Sequence, residues 1–103
     1  MKPTPLPNIP DPTQVTYVAT TLSALANQQR LLILCYLSQA KETSVSDLNE
    51  QLALSQSALS QHLAKLRKEG IIEARKDGLK VYYKISRSDI LALLQFLHQE
   101  YCS

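Results

Sequence analysis

Leu59, Leu63 and Leu66 recur at i, i+4 and i+7 within "SQSALSQHLAKLRKEG", the spacing that lines up one apolar stripe along an α-helix. Ser55 stands where an N-cap belongs, and Gly70 suits the left-handed position that follows a helix. At about 100° per residue, the face opposite the stripe carries Ser57, Gln61, Lys65 and Lys68, with Ser60 on one flank. Upstream, Ser44 or Ser46 caps a shorter helix that buries Val45, Leu48 and Leu52, and the chain turns at "LALS". Two short helices joined by a tight turn make a helix-turn-helix candidate.

The same patterns extend outward from this centre. Five prolines within the first twelve residues predict an extended or disordered tail over residues 1–11. Asp11 and Pro12 then cap and open a first helix that runs to about Ala26. Asn27 caps a second helix, "QQRLLILCYLSQ", which is apolar on most sides and is therefore expected to be largely buried. Beyond Gly70 the period changes: Ile71 to Arg75 and Lys80 to Ile85 read as strands around a hairpin signal at Asp77-Gly78. Ser86 is the expected N-cap of a last helix, with Asp89 in a capping-box variant. Ile90, Leu93, Leu94 and Leu97 keep helical spacing there, to Tyr101 or beyond. The predicted order is helix, helix, helix-turn-helix, hairpin, helix, a mainly α fold in one domain over residues 12–103.

Composition adds little until the charges are located. The 103 residues are 45% hydrophobic and 19% charged, ordinary for a globular domain. The formal net charge is only +2. From His62 to Arg87, however, eight basic residues face three acidic ones, a local balance of +5 on a remainder of −3. Such a block is the footprint of a polyanion-binding face. Gln and Ser on the helix face suit base edges, and the helix N-terminus at Gln56 and Ser57 offers N–H groups to a phosphate. Arg75, Lys76 and Lys80 bracket the hairpin turn, where they would follow the phosphate backbone or the minor groove.

The chain begins without the long apolar segment of a leader, and no stretch approaches the roughly 20 apolar residues that span a bilayer. A cytoplasmic protein without membrane contact is expected. In that compartment Cys35 and Cys102 are expected as free thiols, any bridge between them being transient. Taken alone, Cys35 in "LLILCYL" reads either as a small hydrophobe or as half of a switch, and Cys102 either as a frayed terminal thiol or as the other half. There is no Cys-x-x-Cys, no phosphate-cradling glycine loop and no paired carboxylate cluster, so no enzyme and no cofactor are expected.

The segment "LALSQSALSQHLAKLRKEGIIEARKDGLKVYYKI" resembles the winged helix-turn-helix of the ArsR family of bacterial repressors, a likeness running from about Val15 to the C-terminus. The resemblance implies a homodimer built on the first and last helices that binds double-stranded operator DNA until an inducer releases it. It places the DNA contacts at Gln56, Ser57, Ser60 and Gln61, with the wing around Asp77 and Gly78. The family's metal sites lack their ligands here. "SVSD" puts Ser44 and Ser46 where a soft-metal site has thiolates, and Leu91 replaces the histidine that would follow Asp89. His62 and His98 each stand alone, so no metal is expected.

What the resemblance leaves is the cysteine pair. "ILCYL" and "LHQEYC" are similar to the branch of the family that senses hydrogen sulfide-derived persulfides. It implies that a thiolate attacks a persulfide or polysulfide, that a bridge forms between Cys35 and Cys102, and that DNA is released. Three alternatives stay open at this point: a general peroxide or disulfide sensor using the same cysteines, a metal-responsive repressor, and a winged-helix protein-interaction module.

Overall fold

The computed structural model describes residues 11–102, so the tail expected over residues 1–11 lies outside it except for Asp11. Helix α1 spans Pro12–Leu25 and opens with a capping box. Asp11 Oδ1 accepts from the Gln14 N–H at 2.9 Å, while Gln14 Oε1 accepts from the Asp11 N–H at 2.9 Å. Helix α2, Gln28–Ser38, is capped by Asn27, whose side chain accepts from the Arg30 N–H. The Arg30 guanidinium turns back and donates to the Ala24 carbonyl, which ties the two helices at their junction.

The helix-turn-helix follows as α3, Val45–Gln51, and α4, Gln56–Lys68. Of the two serines expected to cap α3, Ser44 does so, accepting from the Asp47 N–H at 3.1 Å. Ser55 caps α4 through the Ala58 N–H, as expected. The end of α4 is a Schellman motif: the Gly70 N–H reaches the Arg67 carbonyl and the Ile71 N–H reaches that of Leu66, each at 3.0 Å. Gly70 holds φ at +71°, and Leu66 and Ile71 are both fully buried beside it.

Three strands form one antiparallel sheet in the order β1-β3-β2. They are β1, Thr43–Ser44, β2, Ile72–Asp77, and β3, Lys80–Ile85. The hairpin is present, but its loop is Gly78-Leu79, because Asp77 still pairs with Lys80. Gly78, at φ +64°, supplies the first loop position, which shifts the turn one residue from the expected Asp77-Gly78. The two-residue strand β1 carries no periodicity of its own and forms by pairing Thr43 with Tyr83 and Ser44 with Tyr82.

Helix α5, Ser88–Tyr101, begins later than the sequence suggested. Ser86 is not its cap: its Oγ donates to the Gly70 carbonyl at 2.8 Å, and Arg87 takes the N-cap position without a side-chain hydrogen bond to the helix. Asp89 makes no capping box and instead accepts from the Arg87 guanidinium at 3.0 and 2.6 Å.

The core gathers one stripe from each helix. Ile33, Leu34 and Leu37 of α2 meet Leu48 of α3, Leu59, Leu63 and Leu66 of α4, Ile71 and Ile72, and Ile90 and Leu94 of α5. Each such side chain contributes about 1.5–3 kcal/mol relative to exposure. Helix α2 is less enclosed than expected, since Leu32 is 42% exposed and Cys35 is exposed. Among the described residues, only one face of α2 has partners.

Candidate nucleic-acid interface and thiol pair

Because Leu59, Leu63 and Leu66 anchor α4 to the core, the rest of that helix is turned outward by geometry. Gln56, Ser57, Ser60, Gln61, Lys65, Arg67 and Lys68 are all exposed. Ser57, Gln61, Lys65 and Lys68 share one face, with Ser60 and then Gln56 further round the helix. Lys65 leans on Glu69, one turn later, at 3.5 Å. The Ser55 hydroxyl occupies the Ala58 N–H, and the Ser55 carbonyl that of Leu59. The earlier N–H groups, of Gln56 and Ser57, point out of the helix with the positive end of its dipole.

The sheet sorts the basic residues of the wing by side. Along β2, Ile72, Ala74 and Lys76 share the face that carries Ile72 into the core, while Glu73, Arg75 and Asp77 alternate onto the other. On that outer face Arg75 grips Glu42, with Nε 3.2 Å from Oε2 and Nη2 2.5 Å from Oε1. Asp77 lies 3.7 Å from the same guanidinium, and the Tyr82 ring lies under it at 4.7 Å. Lys84 pairs with Glu73 at 3.1 Å. The hydrogen bond from Arg75 holds the Glu42 carboxyl below the ordinary carboxylate range. Lys76 and Lys80 have no ion pair among the described residues, and Leu79 at the tip is fully exposed.

Arg87, the last member of the basic block, follows the end of β3, away from the wing tip, and is mostly covered. Its side chain is only 16% exposed. Besides Asp89 it donates to Thr21 Oγ1 of α1 at 3.1 Å, and its guanidinium lies 5.0 Å from the Tyr17 ring centroid. The hydrogen bond from Arg87 lowers the Asp89 pKa. Of the eight basic residues between His62 and Arg87, Lys65, Arg75, Lys84 and Arg87 are in ion pairs; Arg67, Lys68, Lys76 and Lys80, with the exposed Lys65, define the positive surface of α4 and the wing tip. Sequence reasoning missed Glu42, Thr21 and Tyr17. Their partners lie 33 to 70 residues away, so no local pattern marks them.

Cys35 and Cys102 are both free and exposed. Cys35 sits on the open face of α2, one turn from Leu32 and with its carbonyl accepting from Ser38 Oγ at 2.8 Å. Cys102 closes α5, its N–H donating to the His98 carbonyl at 2.9 Å. Partial burial pushes the Cys35 thiol above its ordinary pKa, and a negative charge on Cys102 pushes it further. Ser38 and Gln39 of the α2 end line one cleft with Leu94, Gln95 and His98 of α5. Among the described residues no group of three or more His, Cys, Asp or Glu side chains is arranged to hold a metal, and no helix is long and apolar enough to cross a membrane.

Residues 27–74, from the α2 cap to the middle of β2, match the model of the bacterial regulatory protein arsR family. The chain is 48% identical over 81 residues to the transcriptional activator HlyU of Vibrio cholerae, an alignment covering 79% of this chain and 74% of that one. It superposes on reduced HlyU from the same species with a TM-score of 0.83 at 43% identity, covering 88% of this chain and 95% of the other. On the transcriptional repressor BigR from Xylella fastidiosa the TM-score is 0.81 at 31% identity, over 88% and 92% of the two chains.

Proposed function

Since the chain belongs to the ArsR family of transcriptional regulators, we propose that it is a homodimeric, cytoplasmic repressor that leaves operator DNA when persulfides or polysulfides modify or bridge Cys35 and Cys102. The observation that carries this reading is the packing of the end of α2 on α5: Ser38 and Gln39, one turn beyond Cys35, line one cleft with Leu94, Gln95 and His98, the last of these one turn before Cys102, so two exposed thiols 67 residues apart in sequence flank the same helix contact.

DNA lies against α4 and the tip of the wing. Gln56, Ser57, Ser60 and Gln61 enter the major groove, and Lys65, Lys76 and Lys80 hold the flanking phosphates. The second copy covers an apolar surface that one chain leaves open: Val15, Tyr17, Val18 and Leu22 of α1 and Phe96 and Tyr101 of α5 are each about half exposed or more.

The chemistry divides between the two sulfurs. Because ionising Cys35 is disfavoured, Cys102 attacks first. Its thiolate takes the outer sulfur of a persulfide, the sulfur–sulfur bond breaks, and the parent thiolate departs, leaving a Cys102 persulfide. Cys35 gives its proton to water and attacks the Cys102 sulfur, expelling hydrosulfide and closing a disulfide; a longer polysulfide leaves extra sulfur in the bridge. The bridge ties α2 to the end of α5. A coupling of about 1–3 kcal/mol between this tie and the DNA-bound arrangement changes affinity roughly 5- to 150-fold. The placement of HlyU and BigR, an activator and a repressor by name, in one group with this chain accords with a shared DNA-binding device whose regulatory sign differs.

Intact mass and fluorescence anisotropy test this together, on duplexes selected from a random pool by the reduced protein. The protein is treated separately with tetrasulfide, hydrogen peroxide and oxidised glutathione. The expected result is a Cys35–Cys102 bridge carrying extra sulfur, formed with tetrasulfide alone and accompanied by weaker binding. An equal response to peroxide replaces persulfide with general oxidant sensing. Unchanged mass and affinity throughout removes the switch, and failure to select any duplex removes the DNA-binding reading.

A further inference from the structure

Arg75, though half exposed, is the basic residue near the wing tip whose guanidinium is already engaged by partners within the chain. Two of its nitrogens bind the two Glu42 oxygens, a third nitrogen faces Asp77, and the Tyr82 ring covers it from below. A phosphate approaching this group would meet Glu42 and Asp77 against the guanidinium itself, while Glu73 on the same side of the sheet is paired with Lys84. Lys80, across from Asp77, shares this face and Lys76 lies on the other, but unlike Arg75 neither lysine has an ion pair among the described residues.

The position of Glu42 gives the pair its consequence. Glu42 directly precedes β1, and Ser44, two residues on, caps the first helix of the helix-turn-helix. β1 pairs only with β3, through two residues, while Arg75 lies on β2 at the far edge. The Arg75–Glu42 contact therefore spans the whole width of the sheet and joins its outer strand to the entrance of α3. Exposed ion pairs of loose geometry contribute little, but a two-pronged guanidinium–carboxylate pair resting on an aromatic ring is the exception.

We propose that Arg75 is a positioning residue that braces the wing against the helix-turn-helix through Glu42, and that it makes no phosphate contact. The DNA arm of the test rests on the DNA-binding reading above, whereas the brace itself is open to measurement without DNA. Lys76 and Lys80 then supply the wing's phosphate contacts.

The full-length reduced protein is compared with its R75Q, E42Q and K76Q variants by amide hydrogen exchange without DNA. Anisotropy on a labelled 30-base-pair duplex of random sequence follows over a range of salt. R75Q and E42Q are both expected to speed exchange in β2 and β3 at least about threefold, because the brace limits local opening. Both are expected to weaken DNA binding several-fold with the salt slope unchanged, whereas K76Q lowers that slope by about 1. Tighter binding by E42Q together with a reduced slope for R75Q would overturn the proposal and make Glu42 a competitor for a phosphate-binding arginine. Unchanged exchange in both variants would also overturn it. If the unaltered protein binds no duplex, the DNA-binding reading fails while the exchange arm still decides the brace.

Discussion

Arg87 fastens the start of α5 to the side of α1, and truncating it to alanine has a cost that its contacts let one work out. The charged hydrogen bond to Thr21 Oγ1, at 3.1 Å beside a hydroxyl-bearing residue only 7% exposed, falls in the class that contributes about 1.5–3 kcal/mol. The Tyr17 ring adds about 0.5–1 kcal/mol at this partly covered site. The Asp89 pair adds about 0.2–1 kcal/mol at most, because that carboxylate is 64% exposed. These terms overlap. The orphaned Thr21 hydroxyl can also turn to a carbonyl of its own helix, as Thr16 and Thr20 already do. The net expectation for Arg87→Ala is a loss of about 2 kcal/mol, carried mainly by Thr21. Urea unfolding at one fixed protein concentration measures it, and the Arg87→Ala/Thr21→Val double-mutant cycle isolates the contact. A coupling of at least about 1 kcal/mol is expected. Additivity of the two substitutions, or an Arg87→Ala loss no larger than that of Asp89→Asn, would refute the assignment.

Three further predictions concern the helix ends and the thiols. Gly70→Ala places a Cβ in open space but keeps φ at +71°, so it should cost about 1–2 kcal/mol by urea unfolding, and Gly70→Asn should cost less. Ser55→Ala removes the α4 cap and should cost about 1 kcal/mol in unfolding measurements while weakening binding to any duplex the reduced protein selects. Cys35 has a raised pKa, so its thiolate fraction and its alkylation by iodoacetamide should rise only at more alkaline pH than for an unperturbed thiol. Cys102→Ser should move that rise to lower pH, and peptide mass spectrometry across a pH series reads both.

Local chemistry made much of the fold legible. Asp11 with Pro12, Asn27 and Ser55 mark helix starts because a cap is a contact between residues three apart, and Gly70 marks an end for the same reason. The leucines of α4 expose its polar face because one stripe fixes the helix's rotation. What escaped notice depends on distant partners. β1 exists only through Tyr82 and Tyr83, and Ser86 is diverted from capping by the Gly70 carbonyl. Arg75 and Arg87 look like any other members of a basic block until Glu42 and Thr21 arrive from 33 and 66 residues away. Cys35 sits in an apolar run that suggested enclosure, yet only one side of α2 finds neighbours among the described residues.

The sheet order β1-β3-β2 leaves two open edges, and each carries its own safeguard against unwanted strand addition. β1 is too short, at two residues, to template another chain. β2 is long enough, at six residues, but its sequence "IEARKD" sets charges of both signs at four of the six positions. A foreign strand docking there would have to strip water from Glu73, Arg75, Lys76 and Asp77, or match their alternation. The wing's charges thus also govern solubility. Replacing Glu73, Arg75 and Lys76 with valine would leave a β-prone edge charged only at Asp77, and the expected outcome is concentration-dependent aggregation of a protein whose helical core is untouched.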